Sequence, residues 1–147
     1  GRRRLHQERQ FLALISTPNP ASRETRSTVR ILNIFLALVM LAFVGVQYND
    51  PDGLLWAVYY AVPAVWCLLV ALRPQALRAP AAMPLLWASV AVWFGLMVFY
   101  WPAMPNFWRR EVWWEEETAR EGMGMMIAWV VVLVAALTAR RQQARPA

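Results

Sequence analysis

Four long apolar stretches, at residues 29–48, 54–72, 85–101 and 122–139, decide what this chain can fold into. A helix needs about 20 mostly apolar residues to cross about 30 Å of hydrocarbon at about 1.5 Å per residue, with a usual range of roughly 17–25. All four stretches fall in that range. The second and third carry no charge, and past Arg30 at its edge the first has Asn33 and Gln47 as its strongly polar members. The third is short, and one further turn through Pro84 at the first helical position, or a thin bilayer, would complete it. With 59% of the chain hydrophobic and 16% charged, a disordered segment and an ordinary water-soluble domain are both excluded. The expected fold is an all-α membrane protein. It consists of a cytoplasmic arm over residues 1–28, four transmembrane helices within 29–139, a short interfacial helix before the fourth span, and a basic tail at 140–147.

The arginines predict which way it faces. All fifteen basic residues are arginine, against nine acids, for a net charge of +6. Residues Arg2, Arg3, Arg4, Arg9, Arg23 and Arg26 precede the first span and Arg30 stands at its edge, Arg73 and Arg78 separate the second from the third, and Arg140, Arg141 and Arg145 follow the fourth. The other side holds Arg109, Arg110 and Arg120 with seven of the nine acids. Short cytoplasmic loops retain the basic excess, so both termini are expected in the cytoplasm. The same asymmetry explains the charge without nucleic acid, for which no zinc finger, phosphate loop or helix-turn-helix pattern is present.

Arg2-Arg3-Arg4 followed by the apolar residues 11–15 resembles the start of an export signal, but five apolar residues are too few, and Ser16-Thr17-Pro18-Asn19-Pro20 ends any helix there. Residues 5–15 are instead expected to form a short amphipathic helix, with Phe11 on its apolar side, lying on the membrane or on a partner. The chain opens on Gly rather than Met, which leads to the expectation that residues precede it. One cysteine, Cys67, excludes an intramolecular disulfide, and one histidine, His6, leaves no histidine-rich metal or haem site.

Between the first two spans lies Gln47-Tyr48-Asn49-Asp50-Pro51-Asp52-Gly53. Asp before Pro is a helix-start pattern: the aspartate caps the first-turn N–H groups, proline presets φ, and Asp52 adds charge at the positive end of the dipole. Capping therefore accounts for these residues. The competing reading is an oxygen-lined site for a hard cation, although one short loop does not supply the six or so ligands such an ion takes.

Residues 46–74, VQYNDPDGLLWAVYYAVPAVWCLLVALRP, resemble the signature of the transmembrane protein 220 family of small multi-span membrane proteins. Residues 115–132, EEETAREGMGMMIAWVVV, resemble the acidic stretch that leads into the family's later span. The resemblance covers roughly residues 31–139. It implies a four-span fold and a pairing of the two motifs, and it carries no catalytic residue over, since the family has no established activity.

The second motif also reads from its residues. After the breaker Trp101-Pro102-Ala103-Met104-Pro105, Asn106 is expected to cap a short helix whose Phe107, Trp108, Trp113 and Trp114 form an aromatic belt at headgroup level. Glu116 and Arg120 make a favourable i,i+4 pair, whereas Glu117 and Glu121 are like charges at the same spacing and repel unless a cation lies between them. Within the bilayer the polar inventory is thin, which disfavours a transporter. Asn33 is expected to bond across a helix pair, Pro63 to bend the second span, and Ala37, Gly45, Ala57, Ala61, Ala64 and Gly95 to let backbones approach. Of nine tryptophans, Trp56, Trp101 and Trp129 fall towards span ends, while Trp66, Trp87 and Trp93 face neighbouring helices, lipid or a flat cofactor.

Two functions follow as expectations. The first is a non-catalytic accessory subunit of a larger membrane complex, photosynthetic or respiratory, contacting other integral subunits and lipids through Arg2, Arg3, Arg4, Phe11, Trp108, Trp113 and Trp114. No axial ligand for a pigment or haem is available, so any pigment contact is peripheral. The second is an outer-leaflet binder or enzyme whose Asp50, Asp52, Glu116, Glu117 and Glu121 converge on a divalent cation or lipid headgroup. A sensor of anionic lipid working through the basic arm is a third. With no catalytic constellation recognisable, no enzyme is expected. Arginine-only, alanine-rich usage points to a bacterial inner membrane.

Overall fold

A computed structural model describes Arg4, Gln7 and residues 20–144, with side chains at Arg4, Gln7 and from Glu24 onwards. Arg2, Arg3, Phe11 and, apart from Gln7, the helix expected over residues 5–15 lie outside the residues described. Every regular element among those described is helical, and four helices are long and apolar enough to cross a membrane. They are α1 (Pro20–Val46), α2 (Gly53–Leu72), α3 (Ala82–Phe99) and α5 (Glu117–Gln143), with a short α4 (Arg110–Glu115) before the last. Two 3-10 turns, Gln47–Asn49 and Pro74–Arg78, make the first two connections.

Helix ends follow the breakers. Proline disfavours helical backbone in the residue before it, and Arg73, which precedes Pro74, takes φ −133° and ψ 51° as α2 stops. Two expected starts are corrected. α3 begins at Ala82, two residues before Pro84, which still lies in the first turn where a missing N–H costs nothing. Asn106 does not cap α4. It adopts φ 61°, a left-handed turn that asparagine tolerates, its carbonyl accepts from the Arg109 N–H at 2.9 Å, and Arg109 takes the cap position.

The helices pack in the order α1, α2, α5, α3, with α5 in the middle and more than half of its span buried. Small residues make that possible: Gly122, Gly124, Ala128, Ala135, Ala136 and Ala139 are all buried on α5. Ala37 and Ala64 are buried as expected for packing positions. Gly45 and Gly95 are not close-approach sites, because a Cβ at either would meet open space. The approaches that require glycine are at Gly53 against the Gln47 carbonyl, Gly122 against the Tyr100 carbonyl and the Pro102 ring, and Gly124 against the Tyr60 hydroxyl.

Side-chain hydrogen bonds fasten this arrangement where lipid offers no alternative partner. Asn33 on α1, fully buried, donates through Nδ2 to the Val29 carbonyl at 2.9 Å and to Thr138 Oγ1 on α5 at 3.2 Å. Replacing Thr138 by valine is expected to cost about 0.6 kcal/mol, the average for such interhelical bonds. Thermal unfolding in detergent, followed by labelling of the buried Cys67 thiol, checks it; an unchanged midpoint would remove the bond from the account. Tryptophans fill the space between α2 and α3: Trp66 Nε1 donates to Ser89 Oγ at 3.0 Å, and Trp93 Nε1 donates to the Tyr59 carbonyl at 3.0 Å.

Candidate functional site

One end of the bundle collects the acidic connections. After the turn Gln47–Asn49, the Asp50 N–H donates back to the Gln47 carbonyl at 3.1 Å, and the Gly53 N–H donates to the Asp50 carbonyl at 3.0 Å. Gly53 is required because the turn presses its Cα against the Gln47 carbonyl. The expected cap is displaced by two residues. Asp52 occupies the cap position of α2 and makes no side-chain cap bond. Its Oδ2 instead accepts from Trp56 Nε1 at 2.9 Å, since residues four apart on a helix share a face.

Across from this connector stands the first turn of α5, residues 117–121, just before the apolar span that begins at Gly122. Glu117, Arg120 and Glu121 lie three and four residues apart, so they present one face. The expected Glu116–Arg120 pair is not what holds the arginine: Arg120 Nη1 donates to the Trp114 carbonyl at 2.8 Å, closing the end of α4. Glu116 is the extended cap residue at the break between α4 and α5, and its backbone carbonyl, not its carboxylate, accepts from the Arg120 N–H at 3.2 Å.

Between connector and α5 lies a cleft of about 530 Å³. Asp50, Asp52, Glu117 and Glu121 line it against one guanidinium, Arg120, and Phe43, Trp56, Tyr60 and Trp113 supply aromatic surface. Val46, Met123 and Ile127 continue the lining as apolar wall. The aromatic floor is rigid. Trp56 and Tyr60 are almost fully buried, their rings stack at 6.0 Å with 28° between planes, and Phe43 meets Tyr60 edge-on at 5.2 Å. Tyr100 closes on Trp56 from α3's end, with centroids 5.1 Å apart.

Four of the five carboxylates named from sequence thus reach the same cleft, as does Trp113. Glu116 does not line it, and Trp108 and Trp114 are exposed away from it. Among the described residues, no three Asp, Glu, His or Cys side chains are close enough together to hold a metal ion. Phe43, Trp56, Tyr60 and Gly124 were not singled out for a site. The available signal was the Trp56/Tyr60 i,i+4 spacing one turn beyond Asp52.

Electrostatics single out Glu121. Partial burial raises its carboxyl above the usual range; Glu117, Asp52 and Asp50 push the same way, and Arg120 opposes them. The cleft therefore carries a surplus of negative charge beside aromatic side chains. Ring faces are negative and attract cations within about 6 Å of the centroid, as in aromatic cages for quaternary ammonium groups. The arrangement suits a cation that is organic rather than a bare metal, with an apolar portion for the Val46, Met123 and Ile127 wall.

No solved structure matches this chain. A family model described as "Transmembrane family 220, helix" matches residues 38–137. The match spans well over half of the chain and includes every residue that lines the acidic cleft. The connector motif and the α5 motif, which face each other across the cleft, both fall within it. With four spanning helices and both motifs in place, the chain belongs to transmembrane family 220.

Proposed function

We propose that this multi-pass membrane protein is a non-catalytic binder that holds a cationic headgroup at the outer leaflet, with the ligand's apolar portion against the lipid-facing wall. The observation that carries the reading is the convergence of four carboxylates on an aromatic floor in one cleft. A bare divalent cation fits less well, since hard cations take six or more oxygens and among the described residues no three Asp, Glu, His or Cys side chains come within reach of one ion. The orientation belongs to the same proposal: the acidic end faces outwards and both termini lie in the cytoplasm, with the bacterial inner membrane as the setting. The distribution of arginine supports it.

The test is titration of the purified full chain with decyltrimethylammonium, with decyl sulfate and decyl maltoside as chain-matched controls, followed by tryptophan fluorescence and thermal midpoint. The ammonium compound is expected to bind selectively. Glu121→Gln with Asp50→Asn is expected to weaken it about 25-fold, about fivefold for each roughly 1 kcal/mol of charge interaction removed. Equal response to all three compounds overturns the reading. Stabilisation by calcium alone, lost in Glu117→Gln/Asp52→Asn, would replace it with the divalent-cation site. Extraction in mild detergent that finds the chain fixed within a large complex, its cleft covered, would replace it with the accessory subunit.

Protonation supplies a pH signature. Because the folded state raises the Glu121 pKa, the folded protein takes up that proton more readily than the unfolded chain. The carboxylate's destabilising contribution is full above the folded pKa and fades as pH falls through it towards the ordinary glutamate range. Affinity for the ammonium probe is expected to fall over the same interval, as the cleft loses a charge. Glu121→Gln is expected to flatten both profiles, and unchanged profiles in the variant would assign the titration elsewhere.

A further inference from the structure

The opposite end of the bundle carries a second cleft of about 530 Å³, and its charge is reversed. Arg26 and Arg30 from α1, Arg78 from the turn after α2, and Arg141 from the end of α5 line it, and among the described residues no acidic residue does. All four are exposed and, among the described residues, none forms an ion pair or hydrogen bond. Beneath them the lining is apolar and closed: Val70, Leu77 and Ala139 are almost completely buried. Two glutamines hold the end of α5 against this floor. Gln143 Nε2 donates to the Leu77 carbonyl at 2.6 Å, and Gln142 Nε2 donates to the Val70 carbonyl at 3.5 Å. Gln142 Oε1 is buried without a donor.

Topology requires an arginine excess at this end but not that four guanidiniums, drawn from three separate elements, surround one cavity. Arg73 and Arg140 meet the topological need equally well and do not line it. Four unpaired guanidiniums select an anion, and guanidinium matches phosphate oxygens in bidentate geometry. The four arginines stand at the ends of spanning helices, level with lipid headgroups, which selects a phosphate carried by a lipid over a free ion. A headgroup hydroxyl would also supply the donor that Gln142 Oε1 lacks. Basic pockets between spanning helices are the established mode for recognising anionic headgroups.

We propose that the cleft formed by Arg26, Arg30, Arg78 and Arg141 is a binding site for the phosphate of an anionic phospholipid with a hydroxyl-bearing headgroup. It is separate from the acidic cleft, and apart from Arg78 its arginines lie outside the matched residues 38–137.

The probe is phosphatidylglycerol, titrated into the full chain in maltoside detergent against phosphatidylcholine and inorganic phosphate, and read by native mass spectrometry and thermal midpoint. Phosphatidylglycerol is expected to bind and stabilise more than either control, and Arg78→Gln/Arg141→Gln to lose about 25-fold in affinity, about fivefold per arginine. The charge-matched pair Arg73→Gln/Arg140→Gln is expected to retain binding. Arg26→Gln/Arg30→Gln, on a different helix, repeats the loss if the first pair folds poorly. Equal losses from the lining and non-lining pairs would reduce the effect to general surface charge and overturn the site. Equal stabilisation by inorganic phosphate would overturn its assignment to a lipid.

Discussion

Trp93→Phe is expected to destabilise the bundle by about 1–3 kcal/mol, the cost of a buried acceptor left without a donor, and Trp93→Ala by about 3–5 kcal/mol once the cavity is added. The reason lies on another helix. In a regular α-helix the Tyr59 carbonyl would accept from the N–H of residue 63, but residue 63 is proline inside α2 and has none. Trp93 Nε1, from α3, fills the vacancy at 3.0 Å. Hydrocarbon offers no water to replace it, and unsatisfied backbone there costs several kcal/mol. The decisive experiment is the double substitution. Pro63→Ala restores the in-helix donor, so Trp93→Phe is expected to cost clearly less in that background than in the native chain. Midpoints from circular dichroism in detergent, with Cys67 labelling as a second probe, give the coupling. Equal costs in both backgrounds would show that Trp93 acts only through its volume.

That pairing shows where sequence reasoning stops. Pro63 was readable as a perturbation of the second span, and Trp93 as an aromatic facing a neighbour, lipid or cofactor; their connection depends on the register between α2 and α3, which no local pattern encodes. The spans themselves were legible because hydrocarbon imposes one length and one polarity on whatever crosses it. Helix starts were less so. The Asp50-Pro51 pattern pointed to a cap at Asp50, but α2 starts at Gly53 because the Gly53 N–H returns to the Asp50 carbonyl and closes a turn over Pro51 and Asp52 first. Asp52, freed from capping, binds the Trp56 indole. Propensity fixed the neighbourhood of the break, and tertiary geometry fixed the residue.

The acidic cleft divides in the same way. Asp50, Asp52, Glu117 and Glu121 stood out because clustered like charge is unusual at a span end; in the structure burial raises the Glu121 pKa first, and the Glu117 charge adds to it. Their partners were hidden. Trp56 and Tyr60 read as ordinary residues of an apolar helix, and only the approach of α5 to α2 turns them into the floor of a cavity. Glu116 does not line the cleft for a local reason, since the chain breaks helix there between α4 and α5. Neighbours in sequence were diverted by one residue of extended backbone.

Gly124→Ala is expected to cost about 1–3 kcal/mol through overpacking, against the gain of up to about 1 kcal/mol that glycine-to-alanine normally brings within a helix. A Cβ at this position falls on the Tyr60 hydroxyl, and Tyr60 cannot swing away because Trp56 stacks on it and Phe43 meets it edge-on. The clash is with one atom, so removing that atom is the test: Tyr60→Phe is expected to recover most of the loss in the double variant. Gly122→Ala should show no such rescue, because its added carbon meets the Tyr100 carbonyl and the Pro102 ring. Gly45→Ala and Gly95→Ala, with open space around them, are expected to be neutral or mildly stabilising. Since Gly124 and Tyr60 both line the acidic cleft, Gly124→Ala is also expected to weaken decyltrimethylammonium binding under conditions where the variant remains folded. Loss of stability without loss of binding would separate this helix contact from the cleft and confine glycine's role to packing α5 on α2.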